Sequence, residues 1–166
     1  MDLGPRLSHA GGAARGEVGD ALHRFLAADD PARETAERLA MAMQLLTGME
    51  GDLTPEDCLE TADRFWRFIR EHYGADAEII PEWPVQYRLA SGQEAHGRTD
   101  CLIRHPGGLV LIDHKSYPGR APAVRALHYL PQLSIYKQVL EAAWNVPVTA
   151  MAVHFPVLGK MVFVQD

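Results

Sequence analysis

Four aliphatic residues in a row, Leu109-Val110-Leu111-Ile112, run without a break into Asp113-His114-Lys115. A half-buried strand alternates apolar and polar residues, whereas a strand covered on both faces is continuously apolar. The run therefore predicts a central strand that needs cover on both sides. His105-Pro106-Gly107-Gly108 just before it is a turn, so this strand and the one preceding it form a hairpin.

The rest of the chain supplies the cover. Val18, Leu22, Phe25 and Leu26 recur at helical spacing over Glu17–Ala28, and Asp29-Asp30-Pro31 ends that helix. Arg33–Leu46 reads as a second helix with Leu39, Met43 and Leu46 on one side, stopped by Thr47-Gly48. Thr54-Pro55-Glu56-Asp57 starts a third, with Thr54 as N-cap and Pro55 at the first helical position. It runs to about Tyr73, and Gly74 closes it. Strands are predicted over Glu78–Leu89, Ala95–Arg104 and Leu109–Lys115. Ser116–His128 reads as a loop, Pro131 opens a helix to about Trp144, and Val148–Phe155 and Met161–Val164 are two last strands. The expected fold class is α/β, a mixed central β-sheet flanked by helices with a helical N-terminal segment. Residues 1–15, Gly-rich and aperiodic, are expected as a flexible lead-in, and residues 16–166 as a single domain.

No stretch approaches the roughly 20 apolar residues of a membrane helix. Two cysteines, Cys58 and Cys101, lie far apart, which argues against zinc, iron–sulfur and disulfide frameworks and fits a reducing cytoplasm. The net charge of −6 counts against strong autonomous binding of nucleic acid, which draws on Lys and Arg. It does not count against a metal site, which needs clustered carboxylates.

Such a cluster is expected at the end of the central strand. Asp113 and Lys115, two apart, share a face. Hairpin pairing brings Asp100, in Gly97-Arg98-Thr99-Asp100, alongside Asp113. Two carboxylates converging at the end of a buried strand repel each other unless a cation lies between them. Oxygen ligands select a hard ion, Mg²⁺ or Mn²⁺. Lys115 beside that ion could orient or deprotonate a water, or stabilise charge on a phosphate. A bare D-x-K is more often a solvated ion pair; the aliphatic run and the paired G-x-x-D strand give this one its weight.

Two more segments belong with it. Gly16-Glu17-Val18-Gly19 leads to His23 in the first helix, and Gln132 and Tyr136 stand at i and i+4 on a later one. G-x-x-G-x-x-x-H, G-x-x-D, an aliphatic strand ending D-x-K, and Q-x-x-x-Y occur here in that order. This array resembles the RecB-type nuclease domain of the PD-(D/E)xK superfamily and is most similar to the C-terminal nuclease domain of AddA-type helicase–nucleases, over about Gly16–Val164. The resemblance implies a metal-dependent DNA nuclease of double-strand break repair, acting on linear or single-stranded DNA ends, with a helicase domain or subunit as partner. It implies His23, Asp100, Asp113 and the backbone carbonyl of His114 as metal ligands, and Lys115 as the catalytic lysine. Gln132 and Tyr136 would brace the site or contact DNA. Glu82, in Pro81-Glu82-Trp83-Pro84, matches a frequently acidic position. His114 departs from an aromatic preference between the Asp and the Lys. The cluster-binding cysteines of some relatives and a G-x-x-x-x-G-K-[ST] phosphate loop are absent. The chain is thus expected to be an excised domain or a free-standing homologue.

Phe65, Trp66 and Phe68 share one helix with apolar neighbours and read as core rather than as base-stacking residues. Arg120 and Arg125 could hold phosphates or simply be solvated. His96, four before Asp100, points to the same strand face but several residues away; His105 and His128 are weaker candidates, and His9, His72 and His154 carry no argument. The rival readings are a catalytically silent nuclease fold that binds DNA or protein, and a metal-dependent phosphodiesterase acting on RNA or nucleotides.

Overall fold

A computed structural model of the chain describes residues 1–8, 15–48, 53–88, 92 and 94–165. His9 with the rest of residues 9–14 of the Gly-rich lead-in, and Leu89 at the end of a predicted strand, lie outside the described residues. In chain order the elements are α1 (Arg15–Ala28), α2 (Thr35–Leu45), α3 (Pro55–Tyr73), β1 (Glu78–Pro81), β2 (Pro84–Arg88), β3 (Glu94–Arg98), β4 (Cys101–His105) and β5 (Gly108–His114). Then come α4 (Pro122–Leu127), α5 (Leu130–Trp144), β6 (Val148–Phe155), a 3-10 turn (Pro156–Leu158) and β7 (Lys160–Val164).

Five strands form a mixed sheet in the order β1-β4-β5-β6-β7, with only β5 and β6 parallel. Every residue of the central β5 is buried. Alternation along the strands splits the core into two layers. Ile103, Val110, Ile112 and Ala152 face α1, α2 and α3, meeting Leu22, Phe25, Phe65 and Ile69. Leu102, Leu109, Leu111 and Val153 face the other way, onto Ala126 of α4 and Leu133, Tyr136 and Leu140 of α5. The α/β class read from the aliphatic run is the observed one.

Local chemistry explains the helix ends. Thr54 accepts from the Asp57 backbone N–H while the Asp57 carboxylate accepts from that of Thr54, a reciprocal capping box with Pro55 at the first helical position. Phe65, Trp66 and Phe68 are buried, as the spacing predicts. Of the expected stripe Leu46 is buried and Leu39 packs against the core, but Met43 is 62% exposed, and the buried residues of α2 itself are Arg38 and Ala42. A buried acid has re-aimed that helix. Asp29 accepts two hydrogen bonds from the Arg38 guanidinium, each 2.8 Å, and one from the Trp66 indole N–H at 2.7 Å. Asp29 thus ties α1, α2 and α3 together, beyond the helix-ending part read from Asp29-Asp30-Pro31.

Two predicted strands are each broken. Glu78–Leu89 divides at Glu82-Trp83, and Ala95–Arg104 divides at Thr99-Asp100. β1 with β4 and β2 with β3 keep one continuous antiparallel register across the break, from Pro81↔Cys101 to Pro84↔Arg98. The Glu82 N–H donates to the Asp100 carbonyl and the Thr99 N–H to that of Trp83. The result is one bent ribbon whose outer part leaves the main sheet. The bend has a local cause: Glu82 is left-handed, at φ 55°, and Pro84 brings no N–H to the ladder.

Two further expectations change. Within Ser116–His128, Pro122–Leu127 is helical, opened by Pro122 and seated on the core through the fully buried Ala126. Of the expected flexible lead-in, residues 1–8 are tied down: Leu3 donates to the Gly159 carbonyl, Leu7 to that of Val157, and Met161 to that of Met1. Among the described residues no helix is long and apolar enough to cross a membrane.

Candidate active site

Asp100 stands at the ribbon's bend, opposite Glu82. Extending the β4–β5 register by one pair beyond Cys101↔Ile112 sets it opposite Asp113 as well. One carboxylate is thereby placed between two others by strand geometry alone. Asp100 Oδ2 accepts from the His114 backbone N–H at 2.7 Å, which holds the carboxylate against the end of β5. Lys115 Nζ donates to Asp113 Oδ1 at 2.8 Å and lies 3.7 Å from Asp100 Oδ2. The two acids therefore share a side of the sheet and converge on one ammonium, as the hairpin argument expected.

From the opposite layer, α1 brings His23 to the end of the sheet. His23 Nε2 is 2.7 Å from Glu82 Oε1 and 3.8 Å from Asp100 Oδ1. α1 comes this close because of Gly19: a Cβ there would lie 1.9 Å from Ser116 Oγ, the residue after Lys115. A cleft of about 190 Å³ between them is lined by Gly19, Asp20, His23, His114, Lys115 and Ser116. Arg98 holds the other Glu82 oxygen, Oε2, at 2.7 Å.

The electrostatics follow from burial against pairing. Burial drives the Asp113 carboxyl up to about 6; Lys115 pulls against this and Asp100 pushes with it. Burial works to lower the Lys115 ammonium, but Asp113 and Asp100 outweigh it and leave it above its ordinary value. Glu82, though partly desolvated, is held below the usual carboxylate range by Arg98 and His23.

The floor of the site is a pair of buried imidazoles. His114 Nδ1 and His154 Nδ1 are 2.9 Å apart, so one ring donates and the other accepts. Phe65 stacks on His154 with ring centres 5.1 Å apart. Burial pushes His114 well below the usual imidazole range and His154 down to about 3, so the folded protein holds both neutral. The unfolded chain takes up the His154 proton near 6.5 and the folded one does not, so stability present above that pH is lost as pH falls. His154 alone is expected to remove about 1.4 kcal/mol per pH unit below 6.5. Asp113, with its raised carboxyl, works in the opposite sense between about 4 and 6. Urea titrations from pH 7.5 to 5 should therefore compare wild type with His154→Gln, which cannot charge; equal slopes would count against a neutral ring.

Gln132 and Tyr136 are bonded to each other, Nε2 to Oη at 3.1 Å. Tyr136 lies against Gly97, where an added Cβ would come 2.2 Å from its hydroxyl. The glycine of G-x-x-D is thus the seat of the tyrosine of Q-x-x-x-Y. His96 faces Gln86 in the outer ribbon, and His105 lies at the far end of the hairpin beside Thr149, while His72 bonds the Phe68 carbonyl. Sequence reasoning gave Glu82 no derivation of its own. The available signal was Pro81-Glu82-Trp83-Pro84, in which prolines on both sides mark a broken strand and a turn-like acid.

His23, Glu82 and Asp100 each offer one ligand atom, all within 4.8 Å of one another. Asp113 stands beside that trio, on Lys115, and its Oδ2 is buried with no hydrogen-bond partner. A buried carboxylate oxygen without a donor is costly unless a cation or water meets it. The residues present therefore fit a divalent ion. His114 takes part in the structure through its backbone N–H on Asp100 and its buried ring.

A bent ribbon, a D-x-K strand end and a helical histidine thus converge on one point, where an imidazole and carboxylates could hold a metal ion. The chain belongs to the PD-(D/E)XK nuclease superfamily, whose family model matches residues 3–164. Nucleases of this superfamily use divalent metal ions. No curated protein matches the chain. Among solved structures it is similar to that of SSO0001, with 14% identity, 90% of this chain and 74% of the other covered, and a TM-score of 0.41.

Proposed function

We propose that this protein is a Mg²⁺- or Mn²⁺-dependent deoxyribonuclease that hydrolyses phosphodiesters at DNA ends. The observation that carries the reading is the convergence of Asp100 and Asp113 on Lys115, with His23 and Glu82 completing an acid–imidazole cluster beside them. His23, Asp100 and Asp113 would hold the ion, with the His114 carbonyl as a backbone ligand and Glu82 as a fourth side chain. An imidazole among oxygens suits Mn²⁺ well. When bound, the ion supplies the charge that acidifies a water and neutralises the scissile phosphate.

The side chains divide the remaining work. Asp113 orients Lys115, whose ammonium positions the attacking water or meets charge building on the phosphate as the ester oxygen leaves in line. Arg98 fixes Glu82 beside His23 by holding its other carboxylate oxygen. Gln132 and Tyr136 brace the ribbon through Gly97. By the motif array, the setting is cytoplasmic double-strand break repair or recombination, with exonuclease action releasing 5′-phosphate products and a helicase domain or subunit feeding DNA.

The test is digestion of end-labelled linear DNA with Mn²⁺ by wild type and Lys115→Ala. Metal-dependent cleavage is expected in the wild type and a loss of about a hundredfold or more in the variant. Equal activity in both, or none in either with a helicase partner supplied, would overturn the proposal. Cleavage of RNA or dinucleotides in preference to DNA would move the substrate to another class.

A further inference from the structure

Lys115 is held by more than its two acids. Its ammonium lies over the ring of Tyr129, with Nζ 5.3 Å from the ring centre. Tyr129 joins α4 to α5. Its N–H donates to the Ala126 carbonyl at 3.0 Å, and its own carbonyl accepts from the Leu133 N–H at 3.1 Å. The ring is half-buried and packs against the core layer that contains Leu133 and Val153. Arg125 adds a second cation: its guanidinium carbon is 5.2 Å from the same ring centre and 5.8 Å from that of Tyr117. Tyr117 rests in turn near the fully buried Phe155, with ring centres 5.8 Å apart. The face under Lys115 is thus set by helix ends and core packing.

Two kinds of attraction therefore meet one ammonium, and a divalent ion would weaken only one of them. Asp113 and Asp100, 2.8 and 3.7 Å from Lys115 Nζ, are the same carboxylates that would hold the ion. A carboxylate whose charge is shared with a divalent ion attracts an ammonium less, and the ion repels it directly. An aromatic face behaves differently. It attracts an ammonium through the ring quadrupole, yet offers a hard ion none of the oxygen ligands it needs.

We propose that the Tyr129 ring is the seat that keeps Lys115 in place when a divalent ion occupies the acids, which makes Tyr129 a positioning residue for the reaction. The inference rests on the nuclease reading and adds to its site a residue that acts through Lys115. The ring, and not the phenol oxygen, is the working part, so phenylalanine can stand in for it and leucine cannot.

Lysine labelled with ¹³C at Cε reads the seat by NMR. The chain holds three lysines, Lys115, Lys137 and Lys160, and Lys115→Ala assigns the signal. In wild type and Tyr129→Phe the Lys115 methylene protons are expected upfield of ordinary lysine, shifted by the ring, both without and with saturating Mg²⁺. In Tyr129→Leu that shift is expected to vanish, with Mg²⁺ affinity unchanged by calorimetry. On linear DNA the leucine variant is expected to lose about five- to tenfold in kcat at unchanged KM, while Tyr129→Phe cuts like wild type. A shift that wild type loses as Mg²⁺ is added, a shift that Tyr129→Leu retains, or equal losses of kcat in both variants would overturn the seat. So would a rise in KM alone, which would make Tyr129 a contact for substrate. Thermal melting checks each fold, and should Tyr129→Leu fail to fold, the Mg²⁺ titration of wild type decides by itself. A wild type that takes up Mg²⁺, keeps the shift and never cuts DNA defeats the nuclease reading alone; one that cuts DNA while Mg²⁺ abolishes the shift defeats the seat alone.

Discussion

Asp100→Asn is expected to leave the fold standing and to lower both Mn²⁺ affinity and cleavage by about a hundredfold or more. An asparagine carbonyl can still accept the His114 backbone N–H that Asp100 Oδ2 accepts at 2.7 Å, so the end of β5 keeps its anchor. What disappears is the charge opposite both Glu82 and Asp113. Losing an outer-shell partner of a metal site typically costs 10- to 100-fold in affinity or activity, and a direct ligand should cost at least that. Calorimetric titration with Mn²⁺ reads affinity separately from the chemical step. Wild-type affinity in the variant would place the ion elsewhere.

Arg38→Met is expected to destabilise the protein by about 3–5 kcal/mol. The Asp29 side chain has no exposed surface, and two of its three hydrogen bonds come from Arg38. Removing the guanidinium leaves a carboxylate in the core with only the Trp66 indole to meet it. Against a typical total stability of about 5–15 kcal/mol, that is a large fraction, and the melting temperature should fall by on the order of 10 °C. Asp29→Asn/Arg38→Met should recover part of the loss, because an amide in that pocket carries no charge. A melt within a degree or two of wild type would mean that the buried pair contributes little.

Much of this site was legible because it depends on register. Once Leu109–Ile112 was a buried strand and His105–Gly108 its hairpin turn, Asp100, Asp113 and Lys115 had few places to go. The Thr54–Asp57 capping box was equally readable, since its chemistry is complete within four residues. What escaped depends on tertiary partners. The bend at the left-handed Glu82 and the matching break at Thr99 escaped because hydrophobic periodicity does not record a ribbon leaving its sheet. Asp29 looked like a helix terminator because its partner lies nine residues on and its third bond comes from α3. Met43 was placed inside by spacing, but Arg38 needed that face. α4 was hidden in a stretch of Pro, Gly and Arg because it is short and only Ala126 packs inward.

With the Tyr136 hydroxyl resting where Gly97 has no side chain, helix α5 and the strand leading into Asp100 behave as a single lever. Any side chain placed at Gly97 would meet that ring, three residues before the acid.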